Sequence, residues 1–309
     1  MNKNEIIIWG SGSSGKRYAK IVESFGFKSV ILSRDSSGNQ FDVSKLELEN
    51  VFAGIISTPT IFHAEQSVEL LKKQIPVLCD KPIASNFKDG NNILKIALEN
   101  NTKFHVGYNQ RFFKSFNIFK DNEFGIPVKA RSVWAEDVRK WQKNINYTDS
   151  YAVRKDLGGG VPLTLSHDFD WWLGLFPDLK LSKLTKSTSS KFELDIETYF
   201  KIELDGKVDC QIELDYFPNH NFREYEITYE TGVLTYRPFE NYLTFIPNDS
   251  EIINIDIGNS WIENRQKSFI STFKYFIEDQ RHPSELSSWE FGLDALKMAC
   301  EVESNSEQN

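Results

Sequence analysis

Three glycines at a fixed spacing are the first residues able to do chemistry. In IIIWGSGSSGKRYAK, residues 6–20, Gly10, Gly12 and Gly15 form G-x-G-x-x-G between an apolar run and an amphipathic one. Such glycines allow a tight turn, close approach of backbone to a pyrophosphate and close helix packing, while the helix N-terminus that follows offers amide donors and partial positive charge. With Ser11, Ser13 and Ser14 they make a candidate dinucleotide cradle; an ordinary glycine-rich turn is the alternative. The next apolar run ends KSVILSRD, where Ser33 and Arg34 stand at the place a carboxylate would meet a ribose 2'-hydroxyl, with Asp35 one position on. A small hydroxyl and an arginine suit a 2'-phosphate, so NADP is expected ahead of NAD. If Arg34 is instead a solvated turn residue, Asp35 takes the ribose.

Two further run ends carry unusual residues: Ser57, Thr58, Pro59 and His63 in IISTPTIFH, and Asp80, Lys81 and Pro82 in VLCDKPIA. Ligands of a doubly wound sheet sit beyond the carboxyl ends of its strands, so both stretches are expected beside the cofactor. The prolines stop the runs cleanly, which holds Lys81 at the edge of the nicotinamide pocket. A fixed ammonium there can hydrogen-bond a substrate hydroxyl and favour its oxyanion as a hydride leaves. A strand-end lysine paired with a nearby carboxylate is the alternative. Farther along, GGGVPLTLSHDFDWW runs a glycine-rich loop into a helix on which Thr164 and His167, three apart, share a face.

The elements that must position these residues are written as a rhythm. EIIIW, SGKRYAKIVESF, KSVILS, VFAGIIS, HAEQSVELLKKQ, PVLC, FKDGNNILKIALENN and KFHVGY alternate strand and helix, which predicts a parallel sheet covered on both faces. Between 34 and 51 the rhythm weakens: DSSGNQFD is loop-like and VSKLELEN is a short helix at most. Beyond Tyr108 come longer alternating runs, VKARSVWAEDV, FELDIETYFKIEL, KVDCQIELDY, REYEITYE and GVLTYRP, joined by tight turns. They predict a mainly antiparallel sheet, with helices near 111–120, 168–174, 263–279 and 289–304. The fold class is therefore α/β: a Rossmann dinucleotide-binding domain over 1–107, then an α+β substrate domain over 108–309.

Composition bounds the function. The 309 residues are 40% hydrophobic and 26% charged, ordinary for a globular chain. A formal charge of -8 argues against a general affinity for nucleic acid or anionic membrane. Cys79, Cys210 and Cys300 are odd in number, far apart and without metal-ligand spacing, which suits a reducing cytoplasm. No 18-residue apolar run exists and the N-terminal apolar stretch is too short for a signal peptide, so the protein is expected to stay in the cytoplasm, with no metal.

Five stretches in fixed order, IIIWGSGSSG, STPTIFH, CDKPIA, GYNQRF and GGGVPLTLSHDFDWWLGLF, resemble the glucose-fructose oxidoreductase and inositol dehydrogenase (Gfo/Idh/MocA) family over nearly the whole chain. The family's strand-end signature is Glu-Lys-Pro, so Asp80 is a mild departure. The resemblance implies a Rossmann domain followed by an open antiparallel sheet whose face covers the nicotinamide, and a homodimer or homotetramer built on that sheet. It implies that His167 is a general acid or base and Lys81 the lysine beside it. An imidazole, titrating near neutrality, suits proton removal from a carbinol; a buried, hydrogen-bonded helix histidine is the alternative.

Thr164 stands where many members carry an aspartate completing a Lys, Asp, His trio, and threonine cannot carry that charge. Asp168, a substrate group or a different proton path would have to serve. Asn109 and Arg111 are implied to face the site, the arginine suiting a substrate carboxylate or phosphate, or else a structural ion pair. Trp134, Arg139, Trp141, Tyr151 and Arg154 have the composition to stack on a sugar ring and grip an anion, with sheet core or interface as the alternative for any one aromatic. The function implied is an NADP(H)-dependent oxidoreductase acting on a sugar, a sugar derivative or a nucleotide sugar, and LTLSHDFDWW is similar to a branch associated with bacterial surface-sugar biosynthesis. Two other readings stand beside it: a nicotinamide-dependent glycosidase or epimerase without net redox, and a catalytically silent cofactor-binding regulator.

Overall fold

The computed structural model describes residues 3–33, 48–121, 123–141, 146–189, 191–192, 194–258 and 260–305. They form two compact units, Met1–Tyr108 with Phe269–Leu293, and Asn109–Ser268 with Asp294–Asn309. The single division expected at residue 107 becomes three crossings, because a late helical segment returns to the first unit.

The first unit begins with β1 (Glu5–Trp9), α1 (Ser13–Ser24), β2 (Lys28–Leu32), β3 (Val51–Ile56), α2 (His63–Lys72), β4 (Val77–Cys79), α3 (Phe87–Glu99) and β5 (Phe104–Val106). All five strands are parallel, in the order β2-β1-β3-β4-β5. Strands as apolar as EIIIW and VFAGII suit this layout, since a parallel sheet buries both faces. The apolar stripe of α1, Tyr18, Ala19, Ile21 and Val22, packs with Ile6, Ile8, Ala53, Ile55 and Leu78 and with Phe269, Phe273 and Phe276 of the returning segment. Tyr18 meets Phe269 edge-on at 5.6 Å and Phe25 meets Phe273 at 5.2 Å. Strand order reverses between β1 and β3, so the crevice beyond their carboxyl ends is the natural ligand position.

The same unit holds a buried histidine. His105 in β5 is 3% exposed, and its Nε2 lies 2.9 Å from Asp279 Oδ2. Burial lowers its pKa to about 4 against the opposing pull of Asp279 and Glu290. The unfolded chain binds a proton here near pH 6.5 that the folded protein refuses until about 4, so stability is full above 6.5 and falls as pH drops through that window. The loss should total roughly 3 kcal/mol, and thermal melts from pH 7 to 4 on His105→Gln should show a flatter decline than wild type.

The remaining elements are α4 (Lys114–Asp121), β6 (Pro127–Ala135), α5 (Val161–Thr164), α6 (His167–Leu175), β7 (Lys180–Ser187), β8 (Tyr199–Asp205), β9 (Asp209–Asp215), β10 (Phe222–Tyr229), β11 (Gly232–Arg237), β12 (Tyr242–Pro247), β13 (Ile253–Asn254), α7 (Trp261–Glu278), α8 (Ser288–Phe291) and α9 (Leu293–Ser304). The strands build one sheet in the order β13-β12-β11-β10-β6-β9-β8-β7. Every neighbouring pair is antiparallel except β6 and β9. Alternation sorts the faces: Phe200, Ile202, Ile212, Leu214, Tyr225 and Ile227 are buried, while Lys201, Gln211, Glu213, Glu226 and Thr228 alternate with them.

Several boundaries differ from the sequence expectation. FELDIETYFKIEL becomes a strand only from Tyr199. β7, KLSKLTKS, is a strand that its lysines and serines disguise, a composition that protects the sheet edge it occupies. The helix expected over 289–304 breaks at Gly292, whose φ of +66° ends α8 in a left-handed turn.

Candidate functional site

The glycine motif closes on the neighbouring strand end. Gly10 has a φ of +117°, and a Cβ there would lie 2.5 Å from the Ser57 carbonyl oxygen. A Cβ on Gly15 would lie 1.8 Å from the Gly10 carbonyl oxygen. Both glycines are thus demanded by β1, α1 and the end of β3 meeting at one point. Gly12 is different: a Cβ there meets nothing within 4 Å. It is the N-cap of α1, no side chain caps the helix, and no acidic residue sits in the first turn. The first amides and the positive end of α1 are therefore available to an anion, with Ser11, Gly12 and Ser13 exposed. These features fit a pyrophosphate. Gly15→Ala should weaken dinucleotide affinity by about a hundredfold, or about 3 kcal/mol, in a fluorescence titration.

The strand ends hold their polar side chains inward. Ser57 Oγ donates to the Trp9 carbonyl at 3.0 Å and Thr58 Oγ1 to Gln66 Oε1 at 2.7 Å. Pro59 leads into a 3-10 turn at Thr60–Phe62. Asp80 accepts hydrogen bonds from the hydroxyls of Ser14 and Tyr18, both on α1, so its carboxylate faces that helix. His63 is corrected likewise: it is 2% exposed, and Nδ1 and Nε2 lie 2.7 and 2.8 Å from the carbonyl oxygens of Pro82 and Thr58. Burial lowers its pKa, with the two carbonyls and Asp80 opposing and Lys81 assisting. Lys81 is half-buried at the carboxyl end of β4. Ser33 is exposed just after β2, while Arg34 and Asp35 lie outside the described residues.

In the second unit, the helix expected to carry both Thr164 and His167 is two helices, α5 and α6, joined at Leu165 and Ser166. Thr164 is buried, and the Tyr216 hydroxyl lies 3.2 and 3.3 Å from the carbonyl oxygens of Ala152 and Gly160. Tyr216 thereby ties down the glycine loop, and burial pushes its own pKa well up. His167 opens α6, 9% exposed, its ring 6.3 Å from that of Trp134 with 28° between the planes. The Arg223 guanidinium lies 3.6 Å from the Trp134 ring centroid.

Asp168, expected as a partner for His167 or for the substrate, is engaged elsewhere. It is fully buried and accepts from Tyr225 at 3.0 Å and from Arg223 Nη2 at 3.4 Å, while Gln110 Oε1 accepts from the same Nη2 at 3.0 Å. Burial raises the Asp168 pKa and Arg223 opposes the shift. Arg223 and Tyr225, which support the His167 segment, were not anticipated; their signal is an arginine on the inward face of REYEITYE, which demands a buried partner. Arg111 is likewise engaged: Nε donates to both Asp170 oxygens at 3.0 and 2.9 Å and Nη2 to Oδ1 at 2.8 Å, the ion-pair alternative. Asn109 is buried and donates to Ser268 Oγ at 2.7 Å. Trp141 meets Tyr216 edge-on at 5.4 Å, and Arg139 and Arg154 pair with Asp137 and Asp156.

Residues 6–108 match the oxidoreductase family described by its NAD-binding Rossmann fold. The matched stretch is the Rossmann part of the chain. The glycine cradle, STPTIFH and CDKPIA all fall within it. Glucose-6-phosphate 3-dehydrogenase of Bacillus subtilis (strain 168) is 23% identical over 150 residues, 47% of this chain and 41% of that protein. The 2,7-anhydro-N-acetylneuraminate hydratase of Mediterraneibacter gnavus is 24% identical over 157 residues, 44% of this chain and 42% of that protein. The chain thus spans about two fifths of the length of these curated relatives. The solved UDP-N-acetylglucosamine 3-dehydrogenase from Acidithiobacillus ferrooxidans shares the fold with a TM-score of 0.74 at 14% identity, over 98% of this chain and 97% of that one. Among the described residues no group of three or more His, Cys, Asp and Glu could hold a metal ion, and no helix is long and apolar enough to cross a membrane.

Proposed function

We propose that the chain is an NADP(H)-dependent oxidoreductase, with NAD as second cofactor, acting at a carbinol carbon of a sugar, sugar derivative or nucleotide sugar. The observation that carries it is the uncapped, acid-free N-terminus of α1, open above Gly12, on a sheet that presents Lys81 at the carboxyl end of β4, two strands from β1. Gly10, Ser11, Gly12, Ser13 and Gly15 would hold the pyrophosphate, and Ser33 with Arg34 the 2'-phosphate. When bound, the nicotinamide supplies the acceptor for the hydride that leaves the carbinol carbon. Lys81 donates to the substrate oxygen and stabilises the charge that grows there, and His167 takes the hydroxyl proton. Trp141 offers a ring for sugar stacking. The sheet face bearing Lys201, Glu213 and Glu226 would join a homodimer or homotetramer. A reducing cytoplasm suits three cysteines that form no disulfide, and bacterial surface-sugar biosynthesis is the setting the resemblance favours.

A second reading, nicotinamide-dependent chemistry without net redox, is favoured by a relative named as a hydratase and by Thr164, which cannot carry the charge of the aspartate that the resemblance implies there. Titrating the protein with NADPH and NADH, followed by tryptophan fluorescence, tests the cofactor. Preference for NADPH that Arg34→Ala removes supports the first reading, and binding of neither overturns both. Incubation with sugar phosphates and nucleotide sugars separates the two: a change in reduced-nicotinamide absorbance supports net oxidation, and product without such a change supports the second.

A further inference from the structure

Lys81 stands between two residues that are each tied to a helix. On one side Asp80 accepts from Ser14 and Tyr18 of α1. On the other, the Pro82 carbonyl oxygen lies 2.7 Å from Nδ1 of His63 in α2. These ties lie beyond the strand ladder, because β4 ends at Cys79 and the last main-chain link is from Asp80 N to the Ile56 carbonyl at 2.8 Å.

We propose that His63 and Asp80 are positioning residues for Lys81, delivering its ammonium to one place by fixing the peptide on both sides. The inference rests on the reading of Lys81 as the donor to the substrate oxygen. A neutral imidazole has one N–H and can donate to only one of the two carbonyl oxygens that His63 faces; with that proton on Nδ1 the ring donates to the Pro82 carbonyl and joins α2 to the peptide that follows Lys81. Gly107 makes the opposite tie possible: a Cβ there would lie 3.2 Å from Asp80 Oδ1 and 3.3 Å from the Tyr18 hydroxyl. Four separate sequence stretches, those of Ser14, His63, Lys81 and Gly107, thereby become parts of one mount. Ser14 also belongs to the dinucleotide cradle, so an anion held there and the lysine are joined through a single hydrogen bond to Asp80.

The amide nitrogen of asparagine takes the place of imidazole Nδ1, and that of glutamine the place of Nε2. His63→Asn therefore keeps the tie to Pro82, and His63→Gln breaks it. Lysines of the full chain would be reductively methylated with 13C-formaldehyde and the Lys81 signal assigned by its loss in Lys81→Arg. The expected result is a Lys81 resonance displaced from those of exposed lysines in wild type and in His63→Asn, returning among them in His63→Gln and in Ser14→Ala/Tyr18→Phe. Thermal melts establish that each variant is folded, and the two independent routes guard against the loss of one. A wild-type resonance already among the exposed set, one unmoved in both test variants, or equal effects of His63→Asn and His63→Gln would overturn the proposal. NADPH and NADH titrations of the same wild-type protein separate the outcomes: binding of neither overturns the proposed function, while the resonances still decide the mounting of Lys81.

Discussion

Replacing Lys81 by methionine should lower kcat/KM by roughly a hundred- to thousandfold, the usual loss when one group stabilising a developing oxyanion is removed. Dinucleotide affinity should stay within about twofold, because the lysine is assigned to the substrate oxygen and not to the pyrophosphate. Methionine keeps the unbranched stem and packing and removes only the ammonium, so the fold should be unaffected. Lys81→Arg should recover little, since a longer planar fork cannot place its charge where a point charge stood. The measurement is steady-state kinetics with the sugar that the absorbance screen identifies, alongside cofactor titration. Wild-type turnover in Lys81→Met would remove the lysine from the mechanism, and a parallel loss of cofactor affinity would move it to the cofactor site.

The second large effect is on stability. Arg223 is 1% exposed and pairs with the fully buried Asp168. Removing one member of such a pair leaves the other uncompensated, at a cost of about 3–5 kcal/mol, so Arg223→Met should shift the urea midpoint sharply downward. The double variant Arg223→Met/Asp168→Asn should recover much of the loss, because a neutral amide can still accept from Tyr225. Since Asp168 follows His167 in α6, the same substitution should displace the His167 ring from Trp134, visible as a changed tryptophan emission before unfolding begins. Equal stability of Arg223→Met and wild type would show that the pair contributes nothing.

The cradle was legible because what glycine does there is local. Gly10 needs a positive φ, and Gly15 lacks room for a single carbon, facts that a strand-turn-helix context already implies. The position of Lys81 at a strand end was legible for the same reason, since it stands where an apolar run stops. Asp168 was not. An acid beside a histidine reads as chemistry, and only the partner 55 residues later, Arg223 on a strand facing inward, makes it a buried ion pair. His63 shares that pattern: its nearness to the Ser-Thr-Pro turn suggested a ligand, while its contacts depend on a carbonyl 19 residues away. β7 was hidden by the lysines that its edge position calls for, and the paired helices α8 and α9 by a periodicity that runs through Gly292 undisturbed.

The return of Phe269–Leu293 to the first unit bears on how the protein is made. Domains near the start of a chain ordinarily fold while the rest is still being synthesised. Here the rings that cover α1, Phe269, Phe273 and Phe276, leave the ribosome long after Tyr18 and Phe25 have done so. The nascent Rossmann sheet therefore keeps an apolar flank in water until Phe269, Phe273 and Phe276 have been made.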